Sequence, residues 1–254
     1  MPKLISSRLA SACALAAIIA ITAAALAGAS GGTGVPAKLR VIDTRGKVLA
    51  EVTLRANTTS IPTSARATCF GQGTGGSGRP ARVRGATALG LLAQAARSDA
   101  ALRPLLITDH FSFGLGLCGV GGKVAKTKGS WYLKVDHKSP SAGGSKVRLH
   151  AGDEVLWYLA SSYPYPKELS LSAPARVQAG RPFGVRVFSY NEKGKRKPAA
   201  GVIVSGAGAP TNASGRATLT LRNPTLLVAR RGGDIPSNRV AVCVGGRCPS
   251  GAGR

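Results

Sequence analysis

The sequence predicts an α+β domain followed by a small all-β sandwich. Three observations point there. One helical period, with Leu89, Leu92, Ala93 and Ala96 on a single face, stands among β-rich runs in the first 160 residues. After residue 167 only short β runs occur, separated by turn residues at fairly regular intervals. Between these regions lies Ser161-Ser162-Tyr163-Pro164-Tyr165-Pro166, a stiff linker whose prolines exclude a helix.

The elements follow in order. Leu39-Arg40-Val41-Ile42 and Val48 to Leu54 flank Asp43-Thr44-Arg45-Gly46 and read as a hairpin. A glycine-rich loop covers residues 71–80. Thr87 suits an N-cap, the helix runs from Ala88 to Arg97, and Asp99 and Pro104 mark its exit. Strands resume at Leu105–Thr108 and around Phe111 to Leu117. Trp131-Tyr132-Leu133-Lys134-Val135 places Trp131, Leu133 and Val135 on one face. A polar turn from Asp136 to Ser145 leads to Lys146–Leu149, and Val155 to Leu159 forms a last strand. A hairpin, a helix and then strands make a helix packed on a mixed sheet.

The chain has 254 residues, 35 Lys and Arg against 10 Asp and Glu, and a formal charge of +25. Its 44% hydrophobic content excludes wholesale disorder, although much of that fraction is Ala and the cores are expected to be small. The charge has two readings: attraction to acidic polymers or anionic lipid, or general solubilising charge. The cations cluster at Lys193, Lys195, Arg196 and Lys197, at Arg79, Arg82 and Arg84, and at Lys123, Lys126 and Lys128. They are spread rather than striped, and aromatics are not interleaved with them.

Lys3 and Arg8 precede an uncharged stretch from Leu9 to Ala27, which ends in the small-x-small sequences Ala25-Leu26-Ala27 and Ala27-Gly28-Ala29. This three-part pattern predicts a signal peptide over residues 1–29 and a secreted or cell-envelope protein. The alternative is a retained anchor, since the stretch approaches the ~20 residues that span a bilayer. Weakly apolar Ala and the cleavage sequences favour removal. Cys13 sits too early in the apolar run for a lipid-attachment site. Cys69, Cys118, Cys243 and Cys248 remain after cleavage. An even count in an exported chain predicts disulfides, and three pairings are possible. We favour Cys69–Cys118 and Cys243–Cys248, each within one proposed domain. A four-Cys zinc site would need a C-x-x-C pair, which the sequence lacks.

Gly85-Ala86-Thr87-Ala88-Leu89, Ser130 to Val135, and Ala151-Gly152-Asp153-Glu154-Val155-Leu156-Trp157-Tyr158 occur in a fixed order. In this order they resemble the transcobalamin-like C-terminal domain family of bacterial exported proteins. The resemblance implies a β-grasp-like fold over residues 37–160. In animal cobalamin carriers the related domain covers one side of a corrinoid, beside a large helical domain that this chain lacks. The usual Asn-Gly turn after the Trp-Tyr strand is here Asp136-His137-Lys138. Residues 167–246 resemble bacterial immunoglobulin-like modules, through Pro174–Gly180 and Thr211–Leu219. The full organisation is then a leader (1–29), a flexible lead-in (30–36), the β-grasp-like domain (37–160), a linker (161–166), the sandwich (167–246) and a tail (247–254).

Reactive machinery is sparse. Gly71 to Gly76 and Gly114 to Gly119 match G-x-G-x-x-G, but neither opens a helix that could hold a pyrophosphate. The sequence has no P-loop and no G-x-S-x-G. His110, His137 and His150 read as polar strand-end and turn residues. Trp131 and Trp157 read as core. Tyr132 and Tyr158, of opposite parity, are the expected exposed pair. With Asp136 and His137 they are the candidate ligand-contacting residues. The sequence therefore predicts a non-enzymatic binding or display protein without catalytic, cofactor or metal sites, its ligand unassigned. Alternatives are a small-molecule carrier of corrinoid type and a binder of anionic envelope polymers.

Overall fold

The described residues open with a hairpin of β1 (Val35–Ile42) and β2 (Val48–Ala56). Its turn is set by Asp43, whose Oδ1 accepts the N–H bonds of Arg45 and Lys47, both at 2.9 Å. The structure is a computed structural model that describes residues 33–125 and 129–250. The expected leader, Lys126, Lys128 and the last four residues lie outside the described residues. From Thr33 onward the chain is one compact unit.

A short pair follows, β3 (Thr59–Ile61) with β4 (Ala81–Val83). Helix α1 (Ala88–Ser98) starts where Thr87 Oγ1 accepts from Gly90 N at 3.1 Å, the cap its residue type suits. It buries Leu89, Leu91, Leu92, Ala93 and Ala96, and burying each Leu contributes roughly 1.5–3 kcal/mol. Next come β5 (Leu105–Thr108), β6 (Gly116–Val120) and β7 (Lys123–Val124), which form a small sheet. The strand expected from Phe111 begins only at Gly116, because Phe111 to Gly114 close a turn. Residues 146–149 contribute a single bridge from Arg148 to Thr87 in place of a strand. β8 (Ser130–Val135) and β9 (Glu154–Ala160) complete a four-stranded sheet of order β2-β1-β9-β8, in which only β1 and β9 run parallel.

After the linker come β10 (Glu168–Ser172), β11 (Arg176–Val177), β12 (Pro182–Tyr190) and β13 (Arg196–Pro198). The remaining strands are β14 (Ile203–Val204), β15 (Arg216–Thr220), β16 (Thr225–Leu227), β17 (Ala229–Arg230) and β18 (Val240–Val244). Strand β12 is central, with β10 on one edge and β13 and β15 on the other. Strands β11-β18-β16 form a second sheet and β14-β17 a third. Between them Leu169, Leu171, Val185, Val187, Leu219, Leu227, Val242 and Val244 make a separate core.

The α+β, β-grasp-like expectation is corrected. Strand accounts for 42% of the chain and helix for 7%, in several small sheets, so the architecture is all-β. The helical period was read correctly, but its weight in the fold was not. One helix of 11 residues stands among eighteen strands in the described residues. The pairs β3–β4 and β5–β6–β7 share the covering of the same core, through Ile61, Val83, Ile107, Leu117 and Val120.

The four-stranded sheet is buried on both faces. Leu39, Val41, Leu133, Val155 and Trp157 face α1. Ile42, Leu156, Tyr158 and Ala160 face the other way and pack with Ile235 of the second half. Strand β9 is accordingly buried along almost its whole length, the pattern of a strand covered on both sides.

Two disulfides are present, Cys69–Cys118 and Cys243–Cys248, the pairing that the sequence analysis favours. Among the described residues no helix is long and apolar enough to cross a membrane.

Candidate functional site

The turn between β8 and the following loop holds two of the expected site residues. Val135 and Lys138 exchange backbone hydrogen bonds at 2.9 and 3.0 Å, leaving Asp136 and His137 as a two-residue tip. Both have positive φ, +48° and +68°, which is the geometry an Asn-Gly pair would supply without strain. For non-glycine residues it costs on the order of 1–3 kcal/mol each. The tip is held by its contacts. Asp136 Oδ1 accepts from Glu154 N at 2.9 Å. The His137 ring stacks on Tyr190 of β12, with centroids 3.8 Å apart, and its Nδ1 lies 3.0 Å from Glu168 Oε1.

Glu168 sits at the start of β10 and is almost fully enclosed. Arg40, from β1, reaches it at 2.6 Å and also donates to Pro236 O at 2.8 Å. Burial pushes the Glu168 carboxyl up, but the His137 hydrogen bond and the charges of Arg40, His137 and Lys134 outweigh it and hold the group below its usual range. Beside it, the buried Lys134 ammonium lies 3.0 Å from Glu192 Oε1. Glu192 also accepts from Tyr158 OH at 3.3 Å and from Ser139 Oγ. Burial, followed by the nearby Glu192 charge, pushes the Tyr158 hydroxyl well above its usual range. A hydrogen bond to Tyr132 and burial push Tyr165 up to about 12.

The structure thus places His137 and Tyr158 against the second half and Tyr132 against Tyr165 of the linker, while exposed Asp136 bonds to Glu154 of its own half. The expectation that Tyr158 is exposed is corrected: its relative exposure is 1%. It belongs to a tyrosine cluster, with Tyr132 5.6 Å away, and Tyr132 is itself 4.2 Å from Tyr165. The parity argument placed both tyrosines off the helix-side core correctly. The opposite face is not solvent, because the second half covers it. Arg40, Lys134, Glu168 and Glu192 were missed by sequence reasoning. The available signal was Lys134 within an otherwise apolar strand and on the parity of Tyr132, where an isolated charge needs a partner.

Two open clefts flank this junction. One, of about 650 Å³, lies among Asp43, Arg45, Arg230, Arg231, Asp234 and the linker. The other, of about 500 Å³, is bordered by Lys38, Glu51, Glu154, Leu226 and Arg239. Tyr158 lines the first, where Asp43, Arg45, Arg230, Arg231 and Asp234 make much of the wall charged, and Tyr132 lines neither. The first glycine motif runs into β4 and the second into β6. His110 lies against Phe111 in an aromatic group with Phe70 and Phe113, which sequence reasoning did not single out. His150 is exposed, beside Asp153 at 3.7 Å. Among the described residues no group of three or more His, Cys, Asp and Glu could hold a metal ion.

The carboxylates show a single pattern, since all ten are engaged inside the chain. Asp43, Asp99, Asp109, Asp136 and Asp153 accept backbone N–H bonds in turns and caps. Two hydrogen bonds from Ser77, side chain and backbone, hold the Asp109 carboxyl below its usual range. Glu51, Glu154, Glu168, Glu192 and Asp234 pair with Arg239, Lys38, Arg40, Lys134 and Arg231. Those five are the only Lys and Arg residues with a carboxylate partner among the described residues. The other described Lys and Arg side chains have no carboxylate within ion-pair distance, so cations outnumber anions on the exposed surface.

Comparison with known proteins gives no match to any family model, curated protein or solved structure.

Proposed function

We propose that this protein is an exported, non-enzymatic binding protein of the cell envelope whose ligands are anionic polymers. The observation that carries the reading is the internal use of all ten carboxylates against 35 Lys and Arg. General solubilising charge needs no such segregation. Lys and Arg left without acidic neighbours keep a long-range positive potential, which concentrates polyanions and speeds their capture. Two disulfides suit an oxidising compartment. Of the candidate histidines, His137 is held in the junction against Glu168 at 3.0 Å, and His150 is open to solvent beside Asp153 at 3.7 Å.

The test is retention of the purified protein on immobilised polyuronate, poly(glycerol phosphate), DNA and a neutral glucan. The expected result is retention on the charged matrices, release by added salt and passage through the neutral one. Passage through all four at ~50 mM salt, where exposed charges are weakly screened, overturns the proposal.

A further inference from the structure

We infer that the outward face of the β12 sheet is the contact site for a carboxylated polysaccharide. This inference rests on the proposed polyanion binding and adds its location and ligand class.

Val185 and Val187 point into the core, so Gly184, Arg186, Phe188 and Tyr190 point outward. Arg216 of β15 stands directly opposite Arg186, and Arg196 of β13 directly opposite Tyr190. The guanidinium groups of Arg186 and Arg196 both lie over the Phe188 ring, at 4.7 and 4.4 Å from its centroid. Aromatic and cation are therefore interleaved here, which corrects the sequence expectation. The strand pleat, not adjacency in the chain, brings them together.

Two features favour a ligand over a structural role. Arg186 and Arg216 are like charges directly opposed across a strand pair, an arrangement that destabilises a sheet. None of the three arginines has a carboxylate within ion-pair distance among the described residues, although Glu192 follows the same strand. Glu192 is turned away to Lys134 and Tyr158 of the first half. The hairpin it belongs to presents exposed Lys193, Lys195 and Lys197 beside the arginines. An added anion would relieve the repulsion.

The same face discriminates between polyanions. Single-stranded nucleic acid binds by stacking bases on uncovered aromatic rings. Here Phe188 carries two guanidinium groups and Tyr190 carries the His137 ring. What remains available is a set of planar forks, which match carboxylates and phosphates alike in bidentate geometry, so it is the hydroxyl partners beside them that favour a sugar chain. Ser172 of β10 and Thr218 of β15 lie opposite Arg186 and Gly184 and offer hydroxyls to sugar hydroxyls. Above Gly184 the space is open, giving the chain of sugars a shallow track between them.

The experiment compares the wild type with Arg186→Gln/Arg196→Gln/Arg216→Gln and with a charge-matched control, Arg79→Gln/Arg82→Gln/Arg84→Gln. All six positions are exposed, and folding is checked by circular dichroism. Binding of polygalacturonate, single-stranded DNA and duplex DNA is titrated at ~0.1 M salt. The sheet-face triple is expected to lose on the order of tenfold more affinity for polygalacturonate than the control. Phe188→Leu, which keeps the packing, is expected to lose a smaller part through the unstacked guanidinium groups. Equal losses in the two triples, or tighter binding of either DNA than of polygalacturonate, overturn the site assignment while leaving polyanion binding intact. Absence of wild-type binding to every polymer overturns the proposed function itself.

Discussion

Arg40 and Glu168 are 128 residues apart in the chain and 2.6 Å apart in space. This buried pair ties β1 of the first half to β10 of the second. Removing one partner of a buried pair leaves an uncompensated charge, at a cost of about 3–5 kcal/mol. Glu168→Gln is therefore expected to lower the urea midpoint sharply. The double variant Arg40→Met/Glu168→Leu should lose much less, because it strands no charge.

The same carboxylate gives an acid limb. Its pKa in the folded chain lies below the ordinary value of 4.5, so the unfolded chain binds the proton more readily. Its stabilisation is present above pH 4.5 and is lost as pH falls through the folded value. Tyr158 acts in the opposite sense. Its pKa is raised from 10.0, so its contribution is full below pH 10 and is lost as pH rises beyond it. Thermal melts across pH should show both limbs. Glu168→Gln should flatten the acid one and Tyr158→Phe the alkaline one.

The two disulfides should differ in effect. Cys69 and Cys118 enclose 49 positions of separation, and Cys243 and Cys248 only 5. Loop-closure entropy rates them at ~4 and ~2 kcal/mol respectively. Paired Cys→Ser variants, compared by denaturant titration, should rank in that order.

Gly215 precedes β15 with φ +69°, and a Cβ there would stand 2.3 Å from Val187 O. Gly215→Ala is expected to cost about 1–3 kcal/mol from the backbone alone, plus displacement of β12. The measurement is the unfolding free energy. An unchanged value would mean that the turn tolerates a side chain.

Much of the fold was legible where local chemistry decides it. Thr87 capped the helix as its residue type suits, and the Asp43 turn closed the first hairpin. The Trp131 alternation gave the correct faces. What failed was long-range. Nothing near Tyr158 in the sequence says that a second half will cover it. Nothing near Phe188 says that Arg196 will fold back over its ring. Sheet register creates both relationships, and a single sequence does not display register. Tyr132, His137 and Tyr158 lie at the junction because β8 and β9 are neighbours, whereas Asp136 stays at the exposed tip of the turn.

The central claim is that cations left without carboxylate partners capture anionic polymers. Isothermal titration of the wild type with polygalacturonate from ~50 to ~200 mM salt tests it most directly. With about four charge contacts, the association constant should fall on the order of a hundredfold over that range. An association constant that stays level across it would contradict the claim.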